Sequence, residues 1–370
     1  MKPAPKFAST IVERISVSAA TFPTEFPESD GTLAWDKTTI VIVEASCGGV
    51  SGIGYTYADL STATLVETML KGIVENRDAM DIPGAWNAMV HSIRNLGRPG
   101  ICSMAISAVD IALWDLKAKL LNLPLVKLLG SVRSDIPVYG SGGFTSYSRD
   151  QLEKQLAQWV ESGIGMVKMK VGREPQSDAE RVRHARAAIG KHAGLFVDAN
   201  GAYSREQALS FARRFKESEV SWFEEPVSSD DLEGLRLMRD RAAEGIAIAA
   251  GEYGYDSWYF RRMLEAGAVD VLQADATRCG GITGFLQANA LCGAWHLPLS
   301  AHTAPGVHMH ACCASSQAVH LEYFHDHVRI EKLIFDGVAG PEDGKLSPDL
   351  TRHGIGLELR RDELARHPAR

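Results

Sequence analysis

The run LFVDAN at residues 195–200, followed one unit later by SWFEEP at 221–226, decides how this chain folds. Each is a short apolar stretch that ends in carboxylates: Asp198 in the first, Glu224 and Glu225 in the second. A strand covered on both faces should be apolar throughout, so charge at its C-terminal end needs a reason. Working outward, the same texture recurs in IPVYGS (136–141), GMVKMKV (165–171), IAIAAGE (246–252), VDVLQAD (269–275), LPLSAH (297–302) and VHLEY (319–323). Eight such runs, each but the last followed by a segment long enough for a helix, predict a β/α barrel closed by right-handed crossovers. A doubly wound open sheet is the rival, but the Gly-rich phosphate turn that should follow its first strand is missing.

Upstream the texture differs. TTIVIVEAS (38–46), a Gly-rich turn and GIGYTY (52–57) give a hairpin signal, and from Leu60 to Lys127 the apolar residues recur at three and four, as in helices. The expected organisation is therefore an α+β capping domain at 1–133, a catalytic β/α barrel of the TIM type at 134–340, and a C-terminal segment at 341–370 that returns to the cap. The chain has 370 residues, 45% of them apolar and 23% charged, with a formal net charge of −7 and no Lys/Arg run of the kind that tracks phosphate backbones. Nucleic acid and membrane are excluded as expected partners, and the opening residues lack an apolar signal core, so the sequence reads as cytoplasmic. Six cysteines without a C-x-x-C pair read as structural thiols.

Charges that end successive barrel strands converge on one face, where such folds build active sites. Three carboxylates, Asp198, Glu224 and Glu252, would repel one another unless a cation sat between them, and an oxygen-only set selects a hard ion such as Mg²⁺. Glu225, the next residue along from Glu224, is expected on the opposite side of its strand. Lys168 and Lys170 lie two apart and share a face, where like charges depress each other's pKa and suit one of them to act as a base. Asp275 and His302 end successive runs, so the carboxylate is expected to hold one ring nitrogen and leave the other for substrate. The cluster HMHACC at 308–313 matches no zinc spacing and reads as helix packing.

In this order, K-x-K, V-D-A-N, W-F-E-E-P, G-E, Q-x-D-x-x-x-x-G-G-I-T-G and S-A-H resemble the mandelate racemase subgroup of the enolase superfamily, and AISAVDIALWDLKAK (105–119) resembles the helix that completes that family's cap. The resemblance implies Asp198, Glu224 and Glu252 as Mg²⁺ ligands, Lys170 as one base, and Asp275 with His302 as the base on the other face. It further implies that Lys168 and Glu322 contact the substrate carboxylate and that Asn200 contacts substrate. Tyr253, directly after Glu252, departs from several sugar-acid dehydratases of the subgroup, which have histidine there. Substrate identity is expected to lie in the cap, where the loop Thr21–Pro27, carrying Glu25, and the turn that reaches Tyr55 would lower onto the barrel mouth.

The implied reaction is removal of the proton α to a carboxylate through an enediolate. Dehydration of a sugar acid to a 2-keto-3-deoxy acid is the first expectation. Racemisation, epimerisation or cycloisomerisation by the same residues is the second, and a catalytically inactive binding barrel is the remote alternative. The expected partners are a small-molecule carboxylate and further copies of the chain.

Overall fold

The computed structural model describes residues 10–369. Three antiparallel strands, β1 (Arg14–Ser29), β2 (Ala34–Cys47) and β3 (Val50–Tyr57), form one sheet in that order. Gly48 and Gly49, both at positive φ, make the two-residue turn that joins β2 to β3. Both faces of β2 are covered. Ile40 and Ile42 join the core shared with the barrel, while Val43, Ala45 and Cys47 alternate to the other side, against helix Ile101–Leu120. The expected loop Thr21–Pro27 lies within β1, which is an edge strand whose register shifts between Pro23 and Glu28.

The eight predicted runs become β4 (Ile136–Gly142), β5 (Met166–Lys170), β6 (Gly194–Asp198), β7 (Val220–Glu224), β8 (Ala247–Ala250), β9 (Val271–Ala274), β10 (Leu299–Ala301) and β11 (Ala318–Phe324). Each pairs in parallel with the next, and β11 pairs in parallel with β4, so the barrel closes. A helix follows every strand, including His325–Ile334 after β11, where the sequence had suggested none. Tyr139, Phe196 and Trp222 pack inside the barrel around His320, and this aromatic layer forms the floor beneath the charged strand ends.

The cap docks through buried polar groups of helix Ile101–Leu120. Ser107 Oγ accepts from the backbone N–H groups of Gly280 and Gly281, and Asp110 accepts from the N–H and hydroxyl of Thr283. These bonds satisfy orphan donors at the start of helix Gly281–Trp295. Asp115 accepts from the N–H groups of both Ile53 and Ile355, which ties the cap to the C-terminal segment. That segment first pairs Lys345–Leu346 antiparallel to β4, and then brings His367 to β1, where the carbonyl of His367 accepts from Thr21 N. No described helix is long and apolar enough to cross a membrane, and the six cysteines are buried.

Candidate active site

Strand register sets the site. Lys170, Asp198 and Glu224 are lateral neighbours on β5, β6 and β7, so their side chains leave the barrel wall at one level. Glu252 arrives differently, two residues beyond β8. Gly251 holds φ +136°, and a Cβ there would meet the Gln273 carbonyl oxygen at 2.2 Å, so only glycine lets the chain pass that close and turn Glu252 back to the mouth. Asp198, Glu224 and Glu252 are buried and present oxygens within 4.8 Å of one another. The donor set is carboxylate oxygen alone and fits a hard divalent cation.

Two ammonium groups answer these acids. Lys168 Nζ lies 2.6 Å from Glu224, 3.0 Å from Glu322 and 3.4 Å from Asp198, while Lys170 Nζ lies 2.5 Å from Asp198. Burial disfavours charge on both lysines. Glu224 and Glu322 outweigh that burial for Lys168, and Asp198 does so for Lys170, so both are held above the ordinary lysine pKa. The expectation of a depressed lysine is therefore corrected, because a carboxylate at 2.5 Å outweighs the second ammonium group. Burial, then the Asp198 charge, pushes Glu224 up to about 8.

On the far arc of the barrel, Asp275 follows β9 and His302 follows β10. His302 Nδ1 lies 2.8 Å from Asp275 Oδ2, while Asp275 Oδ1 accepts from the N–H and hydroxyl of Thr277. Although burial alone would raise it, the hydrogen bond and charge of His302 hold the Asp275 carboxyl well below the usual range. The other ring nitrogen, Nε2, faces Glu252 at 3.1 Å and Glu322 at 3.6 Å. Against burial, these two carboxylates push His302 up to about 10. Two non-glycine residues at positive φ, Thr303 and Ala304, follow the histidine, a strained turn of the kind found at functional sites. His308 secures that turn: its Nδ1 donates to Thr303 O, and its Nε2 accepts from Ala276 N. His308 and His310 thus pack inside helix Pro305–Cys313.

Glu322, on β11, receives the Ser141 hydroxyl on Oε1 at 2.5 Å, while its buried Oε2 and the Oδ1 of Asn200 have no hydrogen-bond partner among the described residues. Lys170, Asn200, Glu252, His302 and Glu322 line one cavity of about 430 Å³, walled on the cap side by Trp35, Lys37, Thr38, Thr39 and Tyr57. Lys168, Asp198 and Glu224 lie beneath it, fully buried. The two cap residues singled out in the sequence lie elsewhere. Tyr55 is fully buried between the domains with its hydroxyl on Glu331, and Glu25 sits on the exterior, 3.3 Å from His325. Glu225 also departs from expectation. β7 ends at Glu224, and Glu225 turns away at φ +37° instead of continuing the alternation; it is buried, and burial together with the charges of Glu252 and Asp198 holds its carboxyl well above the usual range. The sequence reading missed Arg278, which lines the cavity 3.5 Å from Glu252, and Ser141. Arg278 lies three residues past Asp275, a helical spacing that a search beyond strand ends would have found.

Comparison with known proteins agrees with this geometry. Residues 15–130 match the mandelate racemase / muconate lactonizing enzyme N-terminal domain, and residues 151–363 match the enolase C-terminal domain-like model. Over 361 residues the chain is 33% identical to L-talarate/galactarate dehydratase of Salmonella typhimurium, covering 94% of this chain and 89% of that protein. A mandelate racemase/muconate lactonizing enzyme-like protein from Rubrobacter xylanophilus superposes with a TM-score of 0.95 at 56% identity, over 97% of this chain and 100% of that one. A racemase from Streptomyces coelicolor with bound magnesium superposes with a TM-score of 0.91 at 30% identity, over the same shares. The chain therefore belongs to the mandelate racemase / muconate lactonizing enzyme family of enolase-like barrels.

Proposed function

We propose that the protein removes the proton α to the carboxylate of a sugar acid with Mg²⁺ as cofactor, and that it eliminates the β-hydroxyl to give a 2-keto-3-deoxy acid. The observation that carries this reading is the placement of two basic side chains, Lys170 on β5 and His302 after β10, in one cavity above three buried carboxylates. The strands that bear them are separated by β11 and β4 on one side and by β6 to β9 on the other, so they reach the cavity from different arcs. Kinship with a talarate/galactarate dehydratase supports the substrate class, and the magnesium-bound relative supports the cofactor.

Asp198, Glu224 and Glu252 would hold the ion. A bound Mg²⁺ would supply positive charge that offsets the carboxylate charge keeping Lys170 protonated. Lys168 would bind the substrate carboxylate as a donor and steady negative charge as it develops, with Glu322, in contact at 3.0 Å, orienting its ammonium group. Lys170 accepts the α-proton. The electron pair moves into the carboxylate to give an enediolate, which collapses by expelling the β-hydroxyl as His302, held by Asp275, donates a proton to it. The products are water and an enol that becomes the 2-keto acid, so atoms balance. Asn200 is placed to orient a hydroxyl near the reacting carbons.

A racemase uses the same pair differently, with one base removing the proton and the other returning it to the opposite face. The two-sided placement of Lys170 and His302 keeps this as the second reading. The deciding experiment screens a sugar-acid library with Mg²⁺ for 2-keto product and, in parallel, for change of configuration. Keto acid without stereoisomer interconversion supports dehydration, and interconversion without keto acid replaces it with racemisation.

A further inference from the structure

His327, the third residue of helix His325–Ile334, lines the cavity and takes no part in the chemistry above. Both domains fix its ring. Tyr57 of the cap stacks on it with centroids 3.4 Å apart and planes 11° apart, and Phe324 meets it edge-on at 5.0 Å. The Tyr57 hydroxyl also donates to the His327 carbonyl at 3.2 Å. The residue is only 8% exposed, and its side chain makes no hydrogen bond among the described residues. Nδ1 is enclosed, which leaves Nε2 as the nitrogen with access to the cavity.

A buried polar group without a partner is costly, and a ring clamped this firmly cannot turn to find one. Nδ1 is closed to any ligand, so it is at Nε2, held in place and without a protein partner among the described residues, that this ring can meet a ligand. Burial, then the charge of His302, holds the His327 pKa well below its ordinary value, so the ring is neutral. A neutral ring presents at Nε2 either a donor or an acceptor, according to tautomer, and a hydroxyl satisfies both. A hydrocarbon satisfies neither. The adjacent cap wall, with Thr38, Thr39 and Lys37, is polar in the same sense.

We infer that His327 is a specificity-determining residue whose Nε2 hydrogen-bonds a substrate hydroxyl remote from the α-carbon, so that the site selects polyhydroxylated acids over aryl or alkyl hydroxy acids. Tyr57 and Phe324 are its positioning residues. The assignment rests on the proposed function and deepens it.

Wild type, His327→Phe and His327→Gln are compared, each with Mg²⁺, on C5 and C6 sugar acids, their mono-deoxy analogues and mandelate, reading α-proton exchange in D₂O and 2-keto acid release. On the best sugar acid, His327→Phe should lower kcat/KM about 10- to 100-fold, and His327→Gln should restore most of the loss. On one mono-deoxy analogue the penalty of His327→Phe should vanish, because the hydroxyl it serves is gone. An equal penalty on every acid, or no penalty on any, overturns the assignment and leaves the function standing. If His327→Phe does not fold, wild type alone decides: one mono-deoxy position must cost about 10- to 100-fold, and uniform turnover of all analogues overturns the assignment. Wild type that exchanges the α-proton of no acid overturns the function and the His327 assignment together.

Discussion

Replacing Gly251 by alanine should damage the metal site without touching a metal ligand. The residue holds φ +136°, a region that side chains rarely adopt, and the new Cβ would sit 2.2 Å from the Gln273 carbonyl oxygen. Ordinary contact begins at 3.4 Å, so the chain before Glu252 and the end of β9 must part by 3.4 − 2.2 = 1.2 Å. Backbone strain of about 1–3 kcal/mol and overpacking of about 1–3 kcal/mol together predict a loss of about 2–6 kcal/mol of stability. Mg²⁺ demands near-ideal octahedral distances, so moving the chain at Glu252 by about 1 Å should weaken metal binding at least 10- to 100-fold. Gly165→Ala, where nothing lies within 4 Å of the added carbon, is the control and should change stability by no more than about 0.5 kcal/mol. Urea unfolding and calorimetric Mg²⁺ titration read the two effects. Gly251→Ala with wild-type Mg²⁺ affinity would refute the claim that this close approach places Glu252.

Glu224→Gln should lower Mg²⁺ affinity about 100-fold or more, whereas Glu225→Gln, outside the cluster of three carboxylates, should change it less than about 3-fold; equal affinities by calorimetry would contradict the ligand assignment. Exhaustive dialysis against EDTA should abolish turnover and added Mg²⁺ should restore it, and full activity in EDTA would end the metal reading. His310 and His320 are buried, and burial depresses each pKa from 6.5 to about 4 in the folded state. The unfolded chain then binds the extra protons, so stability is complete above about pH 6.5 and falls towards pH 4, by about 1.4 kcal/mol per pH unit for each histidine. Urea unfolding between pH 7 and 5 should show this slope, and His310→Gln should remove its share; an unchanged slope in that variant contradicts the burial argument.

The barrel was legible because a charge at the end of an apolar run is rare, and here it recurs once per βα unit, from Lys168 and Lys170 through Glu322. The carboxylate trio and the Asp275–His302 pair were found by that rule, since register brings such ends together. What the rule could not see lies off the strand ends or carries no charge. Ser141 binds Glu322 through a hydroxyl, and His327 and Arg278 stand within the segments that follow strands. Pro23 and Pro27 read as loop formers, yet they sit in β1, an edge strand where one side has no ladder to lose. Tyr55 looked like a lid residue because it follows a glycine-rich turn. Its alternation with Ile53 instead turns both residues towards the core between the domains, a packing choice that needs the partner surface to be known. Glu225 was misplaced because the strand was taken to continue one residue further than it does.

The central claim is that Lys170 and His302 reach one cavity from different arcs, so that Lys170 takes the α-proton in dehydration and each side chain is able to serve one face of an α-carbon. α-Proton exchange in D₂O, followed by NMR on the best sugar acid and its α-epimer with Mg²⁺ present, tests it in Lys170→Ala and His302→Asn. The account predicts complementary losses: His302→Asn exchanges only the epimer whose proton faces Lys170, and Lys170→Ala exchanges only the other. If both variants retain Mg²⁺ binding and both lose exchange with the same epimer while keeping the other, a single base serves the site and the two-base account is wrong.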